Sequence, residues 1–158
     1  MAITAFLDTS VLLAGVVDFG PQSAPAQSVM HAIAERQLTQ VATAWHCCLE
    51  FFSVTTRLPP EFRLAPADAI RLVEEEIFGR MTVSDLPAGA RLGMLQAAAR
   101  DEIAGGRIYD AHIAEVARSA GATVIVTDNR RHFLSALRYG IRVETPREFM
   151  SALKDRRS

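Results

Sequence analysis

Residues Ile3 to Leu13 read ITAFLDTSVLL, an apolar run interrupted by one carboxylate, Asp8. Ile3 to Leu7 has the make-up of a short buried strand, and the chain then meets an acid, two small hydroxyl residues (Thr9 and Ser10) and a second apolar run. An unpaired charge inside a core is strongly disfavoured. The run is therefore compatible with few folds. An acid at this point is tolerated at the carboxyl end of a central strand, where the chain emerges into a crevice. In open α/β sheets that is where ligands sit. The competing reading makes Asp8 the cap of the following helix, with Thr9 and Ser10 as helix starters.

The rest of the chain supplies alternating elements. Gly15 to Pro25 is rich in Gly and Pro and reads as a loop. Ala26 to Gln37 has apolar residues at helical spacing, and a short strand follows at Gln40 to Thr43. Trp45 to Thr56 reads as a helix apolar over most of its surface, broken by His46 and Glu50. After the proline-containing loop Arg57 to Pro66, a helix opened by Pro66 presents Ile70, Val73, Ile77 and Phe78 inward and ends near Gly79. Met81 to Val83 is a third strand. Ala88 to Glu102 is a helix with Leu92, Leu95 and Ala99 on one face, stopped by Gly105-Gly106. From Tyr109, Ile113, Val116, Ala117 and Ala120 mark a helix that Gly121 ends. Thr123 to Val126 is the clearest strand. A short helix at Arg131 to Leu137, a strand at Ile141 to Val143 and a helix begun by Pro146 follow. Strands alternating with helices predict a parallel sheet covered on both faces. With no linker or repeat, residues 1–153 form one domain and 154–158 a polar, frayed tail.

Composition narrows the function classes. A length of 158 residues, 49% of them hydrophobic and 22% charged, suits one globular domain. No apolar run is long enough to cross a bilayer, and the start lacks a signal-peptide pattern, so the cytoplasm is expected. The net charge of −1 does not describe a general nucleic-acid coat protein. Cys47 and Cys48 are adjacent, too close for a relaxed disulfide, and lack zinc-ligand spacing, so they read as reduced core residues.

Four acids stand in apolar surroundings or at strand ends. Asp8 and Asp128 each follow a hydrophobic strand, Glu50 lies within WHCCLEFFSV, and Asp110 opens the Ala-rich helix. Several acids gathered in one core would repel each other and be driven toward protonation, a conflict that a divalent cation removes. Oxygen-only donors suit Mg²⁺ or Mn²⁺ better than zinc. Each acid also has a purely structural reading: Asp110 as a helix cap, Asp128 as a turn residue, Glu50 as the partner of Arg57 or another arginine. His31, His46, His112 and His132 read as helix-surface or structural residues.

Taken with its order along the chain, this set resembles the PIN-domain nucleases, in particular the VapC toxins of bacterial toxin–antitoxin pairs. The matching segments are FLDTSVLLA, CCLEFF and GRIYDAHIAEVARSAGATVIVTDNRRHF. The resemblance implies a five-stranded parallel sheet in the order 3-2-1-4-5, sandwiched between helices. It implies a Mg²⁺- or Mn²⁺-dependent endoribonuclease holding one or two ions with Asp8, Glu50, Asp110 and Asp128. Thr9, Ser10, Thr127 and Asn129 would support the site, and Arg130 and Arg131 would touch RNA phosphates. It also implies a cognate antitoxin and a homodimer. The chain departs from the pattern where many relatives carry the fourth acid, two places after the threonine corresponding to Thr127; here that place is Asn129 and the acid is Asp128. Two rivals follow. A haloacid-dehalogenase-type phosphatase needs a second Asp where Ser10 stands. A catalytically silent PIN module would bind RNA or protein without cutting.

Overall fold

The computed structural model describes residues 4–158, so the Ile3 end of the expected first strand lies outside the described residues. Strand β1 is Ala5–Leu7, with every residue buried. It runs directly into helix α1, Thr9–Val16, followed by a 3-10 turn, Pro21–Ser23, and helix α2, Ala24–Ala34. Strand β2, Val41–Ala44, leads into helix α3, Trp45–Thr55. Helix α4, Pro66–Leu72, continues as a π-helical stretch, Val73–Phe78, ahead of strand β3, Thr82–Ser84. A 3-10 turn, Ala88–Ala90, opens helix α5, Arg91–Arg100, and helix α6 is Arg107–Ser119. Strand β4, Val124–Val126, a 3-10 segment, Arg130–Tyr139, strand β5, Arg142–Glu144, and helix α7, Pro146–Arg157, complete the chain.

All strand pairs are parallel, and the sheet order is β3-β2-β1-β4-β5, as the resemblance implies. The sequence reading and the fold agree on the central strands because β1 and β4 are fully buried apolar triplets. Such strands need cover on both faces. Helix α2 packs against α1 and α7, while α6 packs against α5 and the 3-10 segment. One contiguous core runs from Ala5 through Phe51, Ile77 and Ile125 to Phe149. Among the described residues no helix is long and apolar enough to cross a membrane.

Three expectations need correction. The stretch read as a loop from Gly15 begins inside α1, which continues to Val16. Ile70 and Phe78 do not point into the core: they are 46% and 51% exposed, and Leu92 and Leu95 are exposed as well. The C-terminal tail is not frayed, since α7 runs on to Arg157. Thr145 caps it by accepting from the Glu148 N–H in a reciprocal capping box, and Lys154, Arg156 and Arg157 complement its last turn.

Candidate metal centre

The order β2-β1-β4 places the chain reversal between β1 and β4, with Leu7 registered against Val126. The residues leaving these two strands therefore meet at the carboxyl edge of the sheet, at the switch point. Asp8 is one step past β1. Its N–H donates to the Val126 carbonyl at 3.1 Å, which ties the first residue of the site to the end of β4. Asp8 occupies the N-cap position of α1, yet its side chain makes no capping hydrogen bond. Instead its Oδ2 accepts from Thr127 Oγ1 at 2.8 Å and from Ser10 Oγ at 3.0 Å. A capping role is thus set aside in favour of one directed into the crevice.

Asp8 is only 5% exposed. Burial pushes its carboxyl above the ordinary value, the Thr127 and Ser10 hydroxyls work against that rise, and the Glu50 charge adds to it. Below it lies Cys47, whose thiol is driven up to about 12 by burial first and by the Asp8 charge second. Both cysteines are free and buried, as expected. Thr9 Oγ1 is buried without a hydrogen-bond partner among the described residues.

Glu50 stands in the middle of α3 and Asp110 in the first turn of α6. Gly106, not Asp110, is the N-cap of α6, so the capping reading of Asp110 fails. Asp110 is raised above the ordinary carboxylate value by burial; the His132 charge opposes this and the Glu50 charge reinforces it. Glu50 is therefore the acid whose field both Asp8 and Asp110 feel. Its own partner is a histidine, with Nε2 of His46 lying 2.6 Å from its Oε1. Among the described residues no arginine pairs with Glu50, the role that the sequence reading offered to Arg57. His132 Nδ1 stands 3.3 Å from Asp110 Oδ2.

The residues after β4 divide. Thr127 is fully buried and central: besides donating to Asp8, its hydroxyl accepts the Asn129 N–H at 2.9 Å. Asp128 joins through its backbone, donating to Ser10 Oγ at 3.1 Å. The residue is exposed as a whole, and its partly desolvated carboxyl makes no hydrogen bond or ion pair among the described residues. Burial alone raises it, without the influence of Glu50 that marks Asp8 and Asp110. The Asn129 side chain is exposed too. Arg130 is engaged by Glu148 at 3.0 Å, whereas Arg131 is exposed with no ion pair among the described residues.

The donor set, Asp8 and Asp110 each raised in part by the Glu50 charge together with Glu50 itself, is made of oxygen donors that suit a hard divalent cation in their chemistry. Among the described residues, no three His, Cys, Asp or Glu side chains already stand close enough to hold an ion. The sequence reading did not anticipate the histidines that stand beside the acids, His46 at Glu50 and His132 at Asp110. For His46 a signal was present, because His46 and Glu50 are four apart and must share a helix face.

A PIN domain family model matches residues 4–131. Ribonuclease VapC40 of Mycobacterium tuberculosis (strain ATCC 25618 / H37Rv) is 33% identical over 124 residues, covering 78% of this chain and 85% of that protein. Among solved structures, VapC20 of Mycobacterium tuberculosis, a sarcin-ricin loop cleaving toxin, superposes with a TM-score of 0.62 at 16% identity, covering 87% of this chain and 96% of that one. DNA-bound VapBC from Salmonella typhimurium gives a TM-score of 0.61 at 22% identity, covering 91% of this chain and 98% of that one. The two structures share the fold, and the family model and VapC40 carry the relationship into sequence: the chain belongs to the PIN domain family, with VapC ribonucleases among its relatives.

Proposed function

We propose that this protein is a metal-dependent endoribonuclease and the toxin of a VapBC-type toxin–antitoxin pair. The observation that carries the reading is the buried Asp8 carboxylate. Two hydroxyls hold it, and burial together with the Glu50 charge raises its carboxyl above the ordinary value. Asp8, Glu50 and Asp110 would hold one or two Mg²⁺ or Mn²⁺ ions, which supply Lewis acidity and an activated water. Thr127 and Ser10 fix the Asp8 carboxylate so that its remaining oxygen is presented in one orientation. Water oxygen would bond to phosphorus as the 3′-oxygen leaves, giving a 5′-phosphate and a 3′-hydroxyl. Arg131 would bear on the RNA backbone without reading sequence. Arg130 could do so only by releasing Glu148. Asp128, exposed and apart in charge, would be at most an outer contributor.

VapC40 is named a ribonuclease, which supports the substrate class, and VapC20 is described as a toxin. A cognate antitoxin and a cytoplasmic location are part of the same proposal. A homodimer is proposed with them. The test uses defined single-stranded RNAs with Mg²⁺ or Mn²⁺. The wild-type chain should cut them, and highly purified Asp8→Asn should not. Cleavage by Asp8→Asn at the wild-type rate would refute the assignment. The silent-module reading draws on Asn129 standing where many relatives carry the fourth acid, and on the lack of a ready-made cluster among the described residues. Calorimetric titration separates the two, because a silent module takes up no Mg²⁺ or Mn²⁺ in the millimolar range.

A further inference from the structure

His46 has contacts that its place on a helix surface does not require. It is on α3, one turn before Glu50, with its Nε2 2.6 Å from Glu50 Oε1. A ring nitrogen lone pair facing a carboxylate oxygen at that distance would be repulsive. A polar contact this close is favourable only with the Nε2 hydrogen on the Glu50 side. The same ring stacks on Tyr109, centroids 5.5 Å apart and planes 22° apart. It also meets the edge of His112 at 5.6 Å. Tyr109 is the neighbour of Asp110, and His112 lies two residues beyond it, all in the first turns of α6. One imidazole therefore touches an acid on its own helix and the helix that carries the next acid.

Resting on the cation reading of the site, we propose that His46 is a positioning residue. It fixes the Glu50 carboxylate and, through Tyr109 and His112, the spacing between α3 and the start of α6. With Oε1 occupied by the imidazole, Oε2 is left as the free oxygen. Groups that orient ligating carboxylates in this way typically change metal affinity by about 10–100-fold when removed. Substituents at position 46 separate the two contacts. His46→Phe keeps a ring for Tyr109 and His112 but cannot donate to Glu50. His46→Gln donates but cannot stack. His46→Ala does neither.

The experiment is a Mn²⁺ titration of the full chain, following the free-ion signal by electron paramagnetic resonance, with the melting temperature of each metal-free variant as the check on folding. Phe and Ala should each weaken Mn²⁺ binding by about 10–100-fold, and Gln should restore most of the affinity. In a Glu50→Gln background, His46→Ala should add little further loss, because the group it acts through is gone. Phe binding as the wild type does would mean that packing alone matters and would overturn the inference. Tighter binding by Ala would overturn it too, making His46 a competitor of the ion. A wild-type chain that binds no Mn²⁺ would refute the cation reading itself, and the inference with it. Wild-type binding with unchanged variants would refute only the role of His46.

Discussion

At the scale of single residues, the site trades stability for charge. Asp8 is buried with its carboxyl above the ordinary value of 3.8, so the folded chain holds that proton more tightly than the unfolded chain does. Stability is therefore lost as pH rises through the interval between the unfolded value and the raised folded one, and the penalty is complete above it. Asp8→Asn keeps an oxygen for Thr127 and Ser10 to donate to, but removes the charge. The variant should melt higher than wild type at pH 7, by about 2–4 °C for each kcal/mol relieved. The gap should close as both proteins are taken below pH 4, where Asp8 is protonated anyway. Scanning calorimetry at the two pH values checks this, and a variant less stable at pH 7 would contradict it. Asp8 was legible from sequence because an acid after an apolar strand has few other uses. Asp128 looked equivalent by the same rule. The structure adds that Asp128 meets Ser10 through its backbone N–H, a contact the sequence could not show.

Elements were legible where burial dictates their pattern, and blurred where close packing or irregular winding takes over. Strand β4 could be read because all three of its residues are buried β-branched side chains. Gly15, by contrast, signalled a loop and is instead part of α1. The reason is proximity: a Cβ there would stand 2.4 Å from Met30 Cγ and 3.1 Å from the Ala26 carbonyl oxygen, so only glycine lets α1 and α2 approach this closely. Gly15→Ala gains at most about 1 kcal/mol of helix propensity. It forces an overpacked contact costing about 1–3 kcal/mol. The variant should lose stability, seen as a lower urea midpoint at unchanged slope; a raised midpoint would show that the two helices part easily. The stretch after α4 misled differently. Its i→i+5 winding turns the chain through a smaller angle per residue than an α-helix does. Faces counted at α-helical spacing drift out of phase, and Phe78 ends on the surface, edge-on to Trp45 at 6.4 Å.

For the molecule as a whole, the exposed apolar side chains lie together. A cavity of about 350 Å³ is lined by Trp45, Leu49, Phe52, Ile70 and Phe78 among others. A second, of about 500 Å³, shares Trp45 and Leu49 and extends to Leu95 and Tyr109. A continuous apolar surface of this kind marks an interaction site in a soluble protein. Two-fold pairing would bury it against itself, since an isologous interface uses the same patch on both subunits. The proposed dimer accounts for it without any further partner. Ile70 tests this, being 46% exposed and placed on α4, outside the candidate carboxylate set. Ile70→Glu should leave the melting temperature of the monomer nearly unchanged, because the side chain is not part of the core. It should convert a micromolar dimer into a monomer in sedimentation equilibrium. A wild-type chain that sediments as a monomer at the same concentration would remove the dimer from this face and leave the apolar surface to a different protein, the proposed antitoxin being the natural one to add next to the cell.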